Sequence, residues 1–295
     1  MFIISYRKIF FAISALLTAA SIAAVFIFGL SFGIDFKGGS LLEVEYLGIR
    51  PEIATLNEVV DSMGLGDARI QHAGEHDVIV RTRTLTEEEH TMLGTALKTA
   101  DDGELTEKRF TTIGPVIGKE LRSRAWIAIA LVILGIVLFI AFAFRKVSEP
   151  VASWKYGLII VISLLHDIII PTGIVAFLGI EIDTLFVIAL LAIMGLSVHD
   201  SIVVFDRVRE NLRLKKWSNF GETVGKSLEQ TFVRSINTSL STILVLIMLY
   251  VFGPESTKNF SLILLVGMFF GTYSSIFLGS PLLVTVKEWQ DKKSN

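Results

Sequence analysis

Long apolar segments, almost free of charged residues, dominate the pattern of apolar and polar positions along the chain of 295 residues. Crossing the hydrocarbon core of a bilayer takes about 20 residues of α-helix, because that core is roughly 30 Å thick. Segments of about this length cover residues 9–30, 126–144, 157–179, 184–205, 236–252 and 260–286. The pattern therefore predicts a polytopic α-helical membrane protein with six transmembrane helices.

A polar insertion, residues 31–124, separates the first two apolar segments and has a different pattern. Short runs, several of them alternating, predict β-strands near residues 40–46, 68–73, 77–82 and 104–112. Apolar residues at helical spacing predict a helix over 51–63, and a capping box of Thr86 and Glu89 predicts another to about residue 100. The order βαββαβ is typical of a small split-βαβ, ferredoxin-like α+β domain.

Three parts of the chain follow from this pattern. Residues 1–30 are an anchor with the first membrane helix, 31–124 the α+β domain, and 125–295 the remaining helices with a loop at 206–235. The apolar core of the first segment is longer than the roughly 7 to 15 residues of a signal peptide, so we expect an uncleaved anchor.

Positive charge is concentrated on one side of the predicted membrane segments. Fifteen Lys and Arg residues, Arg145 and Lys146 among them, lie on the side of the two termini. The two short loops on the other side contain only Lys258. Because Lys and Arg are retained in the cytoplasm, we expect both termini to be cytoplasmic and residues 31–124 to be extracytoplasmic.

Composition excludes several other classes of protein. The chain is 52% hydrophobic and only 19% charged, against about 25% charged in soluble domains. A net charge of −2 gives no reason to expect nucleic acid as a partner. Without cysteine there is no disulfide or thiolate metal site, and neither a P-loop nor an HExxH motif occurs. We therefore expect no metal and no enzyme of the usual kind.

Charged residues inside apolar segments cost several kcal/mol, so each needs a reason. Asp167, beside His166, lies about 15 Å from the cytoplasmic end of the third segment, and Asp200, beside His199, about 9 Å from the cytoplasmic end of the fourth. Both would lie in the cytoplasmic half of the bilayer. We expect Asp200 to be the principal proton carrier. Asp167 could support the bundle interface or contribute to a proton relay, and His199 could relay protons or be a plain hydrogen-bond partner.

A polar stripe begins the fifth segment. Arg234, Asn237, Thr238 and Ser241 share one helical face. If that face meets the fourth segment, Arg234 could form a switchable ion pair with Asp200, with Thr238 and Asn237 as a hydrogen-bonding shell. The alternative is a permanent structural ion pair that fixes the register of the helices.

Two further groups of residues indicate architecture. Gly267, Gly271, Ser275 and Gly279 recur every four residues in the sixth segment, as expected of a ridge for close helix packing. At the end of the fourth segment, Asp206 and Arg207 belong to an expected network of charges.

Three motifs carry a family resemblance. Residues 33–39 (GIDFKGG) follow the first helix, residues 114–121 (GPVIGKEL) precede the second, and residues 198–211 (VHDSIVVFDRVREN) close the fourth. With six predicted helices and one insertion, the chain resembles the SecF family of bacterial protein-export subunits. The structural motif of this resemblance consists of Asp35, Phe36, Gly38 and Gly39.

The resemblance implies an assembly of the resistance-nodulation-division (RND) superfamily in the bacterial cytoplasmic (inner) membrane. This chain would be one half and a SecD-like subunit the other, beside the SecYEG translocon and with YajC as a further candidate partner. Protons would be the coupling ion, with no other cofactor, and an unfolded preprotein the substrate. The residue that matches Asp200 is the one associated with proton use, whereas His199 departs from the Asn usual at its position. Two alternatives remain: an RND half that exports lipid or a small molecule, and a translocon scaffold that moves no protons.

Overall fold

The structure of the chain is a computed structural model that describes residues 2–48, 50–66, 68–100, 104–143, 151–217 and 219–294. In chain order the elements are α1 (Phe2–Ser5), α2 (Arg7–Phe28), α3 (Ile34–Lys37), β1 (Gly39–Tyr46), α4 (Ile53–Ser62), β2 (Arg69–Ala73), β3 (Asp77–Thr82), α5 (Glu87–Thr99), β4 (Leu105–Ile113), α6 (Pro115–Ala143), α7 (Ser153–Leu178), α8 (Thr184–Arg213), α9 (Phe220–Phe252), α10 (Glu255–Tyr273), a π-helical turn (Ser274–Gly279) and α11 (Ser280–Ser294).

These elements form two units. The helical unit consists of Met1–Ser31, Ile127–Ile180 and Leu185–Asn295, and the α/β unit of Phe32–Trp126 and Glu181–Thr184. The short second piece of the α/β unit was not foreseen in the sequence, where residues 180–183 read only as a tight loop between two membrane helices.

The α/β unit is built on an antiparallel sheet whose described strands run in the order β2-β3-β1-β4. Strand β1 is central, so Leu42 lies opposite Val80 on one side and Phe110 on the other. Its alternate residues Leu42, Val44 and Tyr46 pack into one core with side chains of α4 and α5. The predicted βαββαβ, ferredoxin-like fold is confirmed.

Local signals explain where the helices of this unit begin. The Thr86 hydroxyl accepts the Glu89 N–H at 3.3 Å, and the Glu89 carboxylate accepts the Thr86 N–H at 2.9 Å. This is the predicted capping box, which satisfies two backbone donors at the start of α5.

Inside the core, the Tyr46 hydroxyl donates to the Leu97 carbonyl at 3.0 Å, so its buried polar group is paired.

The helical unit confirms the predicted membrane helices. Within the described residues, six helices are long and apolar enough to cross a membrane: Arg7–Phe28, Pro115–Ala143, Trp154–Leu178, Thr184–Arg213, Phe220–Phe252 and Glu255–Lys292. Phe144, at the predicted end of the second span, and the positive residues Arg145 and Lys146 lie outside the described residues.

Helix ends differ from the predicted spans. The connection between the fourth and fifth spans, residues 206–235, is mostly helical, because α8 continues to Arg213 and α9 begins at Phe220. Hydropathy shows where the apolar residues end. A helix can extend beyond that point when its polar residues form ion pairs and hydrogen bonds. Here the ion pairs join residues three apart, such as Lys226–Glu229 at 2.9 Å, and the Asn219 side chain caps α9.

The sixth span is interrupted near its middle. Between α10 and α11 the backbone forms the π-helical turn, and Pro281 follows it in the first turn of α11. Proline has no backbone N–H and its ring clashes with the carbonyl four residues earlier, so a regular α-helix is disfavoured at this point. The Ser280 hydroxyl donates at 2.9 Å to the Ser275 carbonyl, which lies within this turn. Single π turns of this kind occur frequently at functional sites.

Candidate functional site

A buried carboxylate of α7 lies among hydroxyl groups of two other helical segments. Asp167 on α7 is 0% exposed, and its Oδ2 accepts hydrogen bonds from the hydroxyls of Ser197 on α8, at 2.5 Å, and Ser274 in the π turn, at 2.8 Å. Its Oδ1 lies 2.9 Å from Nδ1 of the buried His166. Each oxygen of Asp167 therefore has a polar partner, which makes burial of this group tolerable.

The second carboxylate has fewer partners. Asp200 on α8 is 5% exposed, and among the described residues its hydrogen bond is to the Ser239 hydroxyl of α9, at 3.4 Å. Ser239 in turn accepts the Thr272 hydroxyl of α10 at 2.6 Å. The two carboxylates therefore differ: Asp167 is fully paired, whereas Asp200 is buried with one long hydrogen bond.

Small residues of the sixth span allow its helices to approach the carboxylates. A Cβ atom at Gly271 would lie 3.4 Å from Cβ of Ser197 and 3.8 Å from Oδ2 of Asp167. Gly267 lies against Ile193, and the Ser275 hydroxyl lies 3.2 Å from that of Ser201. These three residues of the predicted ridge face α8.

Gly279, the fourth residue of the predicted ridge, lies on a different face. A Cβ atom there would be 3.1 Å from the Ser163 hydroxyl of α7. Ser275 and Gly279 both lie within the π turn, Ser274–Gly279, which changes the helical phase. The regular four-residue spacing in the sequence therefore predicts one continuous ridge where the structure has two contact faces.

Arg234 does not form the direct ion pair with Asp200 that the sequence suggested. Arg234, Asn237 and Thr238 are exposed on α9, and within the described part of the chain Arg234 has no carboxylate within 4.0 Å. The Thr238 hydroxyl donates to the Arg234 carbonyl, at 2.9 Å, and not to Asp200.

The reason lies in which face of α9 is buried. Thr231, Ser235 and Ser239 form a second polar stripe at four-residue spacing, and this stripe is buried. Helical periodicity shows which residues share a face, but it cannot decide which of two polar faces meets the neighbouring helix. The four-residue spacing of Thr231, Ser235 and Ser239 was the signal that could have identified Ser239.

Residues next to these carboxylates have separate environments. His199 is exposed, and no hydrogen bond joins it to another described residue. Farther along α8, Asp206 pairs with Arg209 and Arg207 with Glu210, each at 2.5 Å, and Arg207 Nε donates to Gln230 of α9 at 2.6 Å. The expected charges at the end of α8 therefore form local pairs and one link to α9.

The motif of residues 33–39 contacts the motif of residues 114–121. Gly38 has φ +82°, and a Cβ atom there would be 2.8 Å from Cα of Pro115. A Cβ atom at Gly118 would be 2.8 Å from the backbone nitrogen of Gly38. Both sites therefore need glycine for close backbone approach, and Gly38 also needs it for its positive φ. Phe36 is buried beside this contact.

A six-helix membrane unit with buried carboxylates on consecutive helices, and an α+β insertion after its first helix, defines a multi-pass membrane transport protein. Two family models match the chain: the C-terminal region of the protein export membrane proteins SecD/SecF at residues 92–289, and the SecD/SecF GG motif at residues 23–46. The first covers more than half of the chain. The chain belongs to the SecD/SecF family of protein export membrane proteins.

Curated relatives agree over nearly the whole length. The protein translocase subunit SecF of Thermobaculum terrenum is 41% identical over 98% of this chain and 94% of the relative. That of Pseudomonas aeruginosa is 36% identical over 94% of this chain and 89% of the relative. The protein translocase subunit SecDF of Bacillus subtilis is 31% identical over 99% of this chain, which spans 39% of that longer protein.

Solved structures show the same fold in a larger protein. The crystal structure of SecDF, a translocon-associated membrane protein from Thermus thermophilus, is 32% identical and matches 97% of this chain with a TM-score of 0.86. A SecDF structure in a super-membrane-facing form matches with a TM-score of 0.71. The chain spans 38% and 39% of the length of those two chains.

Proposed function

We propose that this chain is the SecF-like half of a proton-driven translocase complex. With a SecD-like partner it uses the proton motive force to promote translocation and release of unfolded preproteins beside a SecYEG channel, with YajC as a further partner. It lies in the bacterial inner membrane with both termini in the cytoplasm and residues 31–124 outside. The SecDF relative of Bacillus subtilis, of which this chain matches 39%, supports a SecD-like other half.

The environment of Asp200 carries the proposal. A proton carrier has to exist in both protonation states, so it cannot be committed to several hydrogen bonds that favour one of them. Asp167 has three polar partners, whereas Asp200 is buried and, among the residues that the structure describes, has a single hydrogen bond, of 3.4 Å to Ser239. Asp200 is therefore the better proton carrier, whereas Asp167 is a structural residue that links α7 to α8 and to the π turn.

The exposed stripe of α9 supports a partner on this side. Arg234, Asn237 and Thr238 are exposed in a helix that is otherwise apolar enough to cross a membrane. Such polar groups in a membrane span usually meet another protein surface and not lipid. We propose that this stripe faces the SecD-like half and that Arg234 acts on Asp200 through its charge, without a direct ion pair.

Protein export is favoured over the two alternatives. Export of lipid or a small molecule finds no support in the matched family, whose description is protein export. A scaffold that moves no protons remains distinguishable by experiment, because it would tolerate the loss of a buried carboxylate whose neutral amide replacement has the same shape.

The test is Asp200→Asn, with preprotein translocation into membrane vesicles measured with and without a proton gradient. Moving one charge through 100 mV releases about 2.3 kcal/mol, enough for more than a tenfold effect, so we expect the variant to lose the stimulation by the gradient. The matched control is Asp206→Asn, an exposed carboxylate on the same helix, which should keep it. A full response of Asp200→Asn to the gradient would support the scaffold.

A further inference from the structure

The short segment Glu181–Thr184, here called the connector, joins α7 to α8 but belongs to the α/β unit. Phe32 and Ile182 form a parallel β-bridge, and the Gly33 N–H donates to the Ile182 carbonyl at 2.9 Å. A Cβ atom at Gly33 would lie 3.4 Å from both the Glu181 carboxylate and that carbonyl. The connector is therefore bound by its backbone to the residues that follow the first membrane helix.

A carboxylate from the motif of residues 33–39 binds the start of α8. Asp35 Oδ2 accepts the backbone N–H of Thr184, the first residue of α8, at 2.8 Å. The first N–H groups of a helix have no partner within the helix, and a negative charge near them is favourable. Asp35 therefore acts as a capping residue supplied from a distant part of the chain.

The other end of the connector is bound by charge. Glu181 pairs with Arg81 at 2.9 Å and with Arg69 at 3.3 Å, and its side chain is only 17% exposed. Arg69 and Arg81 lie directly opposite each other on β2 and β3. Burial lowers the pKa of Arg81, as do the nearby charges of Arg69 and Arg109, whereas Glu181 and Asp183 oppose this. Without Glu181 the two paired arginines would repel each other.

We propose that the connector transmits displacements of the α/β unit to α8, and that Asp35 and Glu181 are the positioning residues that keep it attached. Asp200 lies sixteen residues after Thr184 on α8, or about 24 Å along the helix. A shift of the start of α8 along its axis displaces Asp200 with it, because a helix is stiff along its axis. The inference rests on the proposed proton-carrying function of Asp200 and names the part of the chain that links it to the α/β unit.

The first experiment locks the connector. The chain has no cysteine, so Phe32→Cys combined with Ile182→Cys introduces a single pair at bridged positions. In the intact complex, oxidation should leave the gradient-stimulated translocation unchanged, because the bridge stays closed while the connector transmits. If oxidation abolished the stimulation and a reductant restored it, the connector would have to detach during translocation, and the proposal would be overturned.

The second experiment frees the connector. Asp35→Asn with Glu181→Gln should lower the ratio of gradient-stimulated to unstimulated translocation by about two- to fivefold, because a charge at a helix terminus contributes energies of that order. A purely structural defect would lower both rates in proportion. Asp35→Glu, which keeps the carboxylate, should restore part of the ratio. An unchanged ratio in the double variant would also overturn the proposal.

Asp200→Asn distinguishes the two levels of the inference. If Asp200→Asn keeps full stimulation, the proposed proton-carrying function itself fails. If Asp200→Asn loses stimulation while the double variant keeps it, only the role of the connector fails. Should the double variant not accumulate, Asp35→Asn and Glu181→Gln are measured singly, and the disulfide experiment still tests whether the connector has to detach, since its reduced form serves as its own control.

Discussion

At the scale of single residues, the two buried aspartates have different surroundings. The sequence pointed to Asp167 and Asp200 because charge is rare in apolar segments, but it did not identify Ser197, Ser274 or Ser239 as their partners. Hydroxyl groups in helices frequently donate to the carbonyl four residues earlier, so most of them carry no signal of a tertiary contact. The fold around Asp167 was therefore beyond the reach of single-residue patterns.

The hydroxyl partners of Asp167 should be important for stability. Ser197→Ala and Ser274→Ala each remove a hydrogen bond from a carboxylate that is fully buried, and we expect each to cost about 1–3 kcal/mol. Thermal unfolding of the purified complex in detergent measures this. Ser241→Ala is the matched control, because its exposed hydroxyl donates only to the Asn237 carbonyl of its own helix. Equal melting temperatures for all three variants would contradict the structural role of Asp167 in linking α7 to α8 and to the π turn.

At the scale of elements, glycine positions decide how the segments around the first two membrane helices meet. The sequence showed the two glycine motifs but not their contact, because residues 33–39 and 114–121 are far apart in the chain. Their proximity follows from the sheet, in which β1 and β4 begin and end beside each other: Gly39 pairs with Ile113. The strands could be predicted from alternation, whereas the pairing that brings the motifs together depends on the whole sheet.

Gly118→Ala should disturb this contact. The added methyl group would lie 2.8 Å from the backbone nitrogen of Gly38, and backbone cannot move aside cheaply, so we expect a loss of about 1–3 kcal/mol. Resistance to limited proteolysis of the intact protein measures it. Gly135→Ala on the same helix meets nothing within 4 Å and should be neutral or slightly stabilising, since alanine favours helix. Equal proteolysis of the two variants would argue against the close approach.

The start of α5 gives a pH prediction. Hydrogen bonds from the Arg83 guanidinium, and then from the Thr86 backbone, lower the pKa of Glu89 to about 2 from an ordinary 4.5. Because the folded-state pKa is lowered, the stabilisation is complete above pH 4.5 and is lost as the pH falls toward 2. Hydrogen exchange at the first turn of α5 should accelerate over this window in the native chain. In Glu89→Gln the exchange should lose this acid dependence, because an amide can accept the Thr86 N–H but does not titrate over this range.

At the scale of the whole molecule, the sequence predicted the six membrane helices and the α+β insertion, and both are confirmed. It did not assign Glu181–Thr184 to the α/β unit, because four residues between two apolar segments have no periodicity to read. Nor did it show that α8 and α9 extend through most of residues 206–235, since hydropathy reports the membrane boundary and not the end of a helix. Predictions from pattern were reliable for long elements and failed at short connections.

The complex should contain a second, different half. The chain matches 94% of a SecF relative but 39% of a SecDF relative, so we expect the intact complex, purified from membranes, to include a SecD-like chain. Native mass spectrometry measures the composition. A stable assembly of this chain alone would contradict the proposed partnership.

The π turn at Ser274–Gly279 also has a consequence for the history of the sixth span. A π turn accommodates one more residue than the corresponding turn of an α-helix. Relatives in which this span is a regular helix are expected to be one residue shorter there, so the sequences need a gap of one position. An alignment without that gap would pair Gly267 and Gly271 correctly and place every residue after the turn on the wrong face. A substitution meant for the position of Gly279, which lies against Ser163, would then be made one residue away, on another face of the helix.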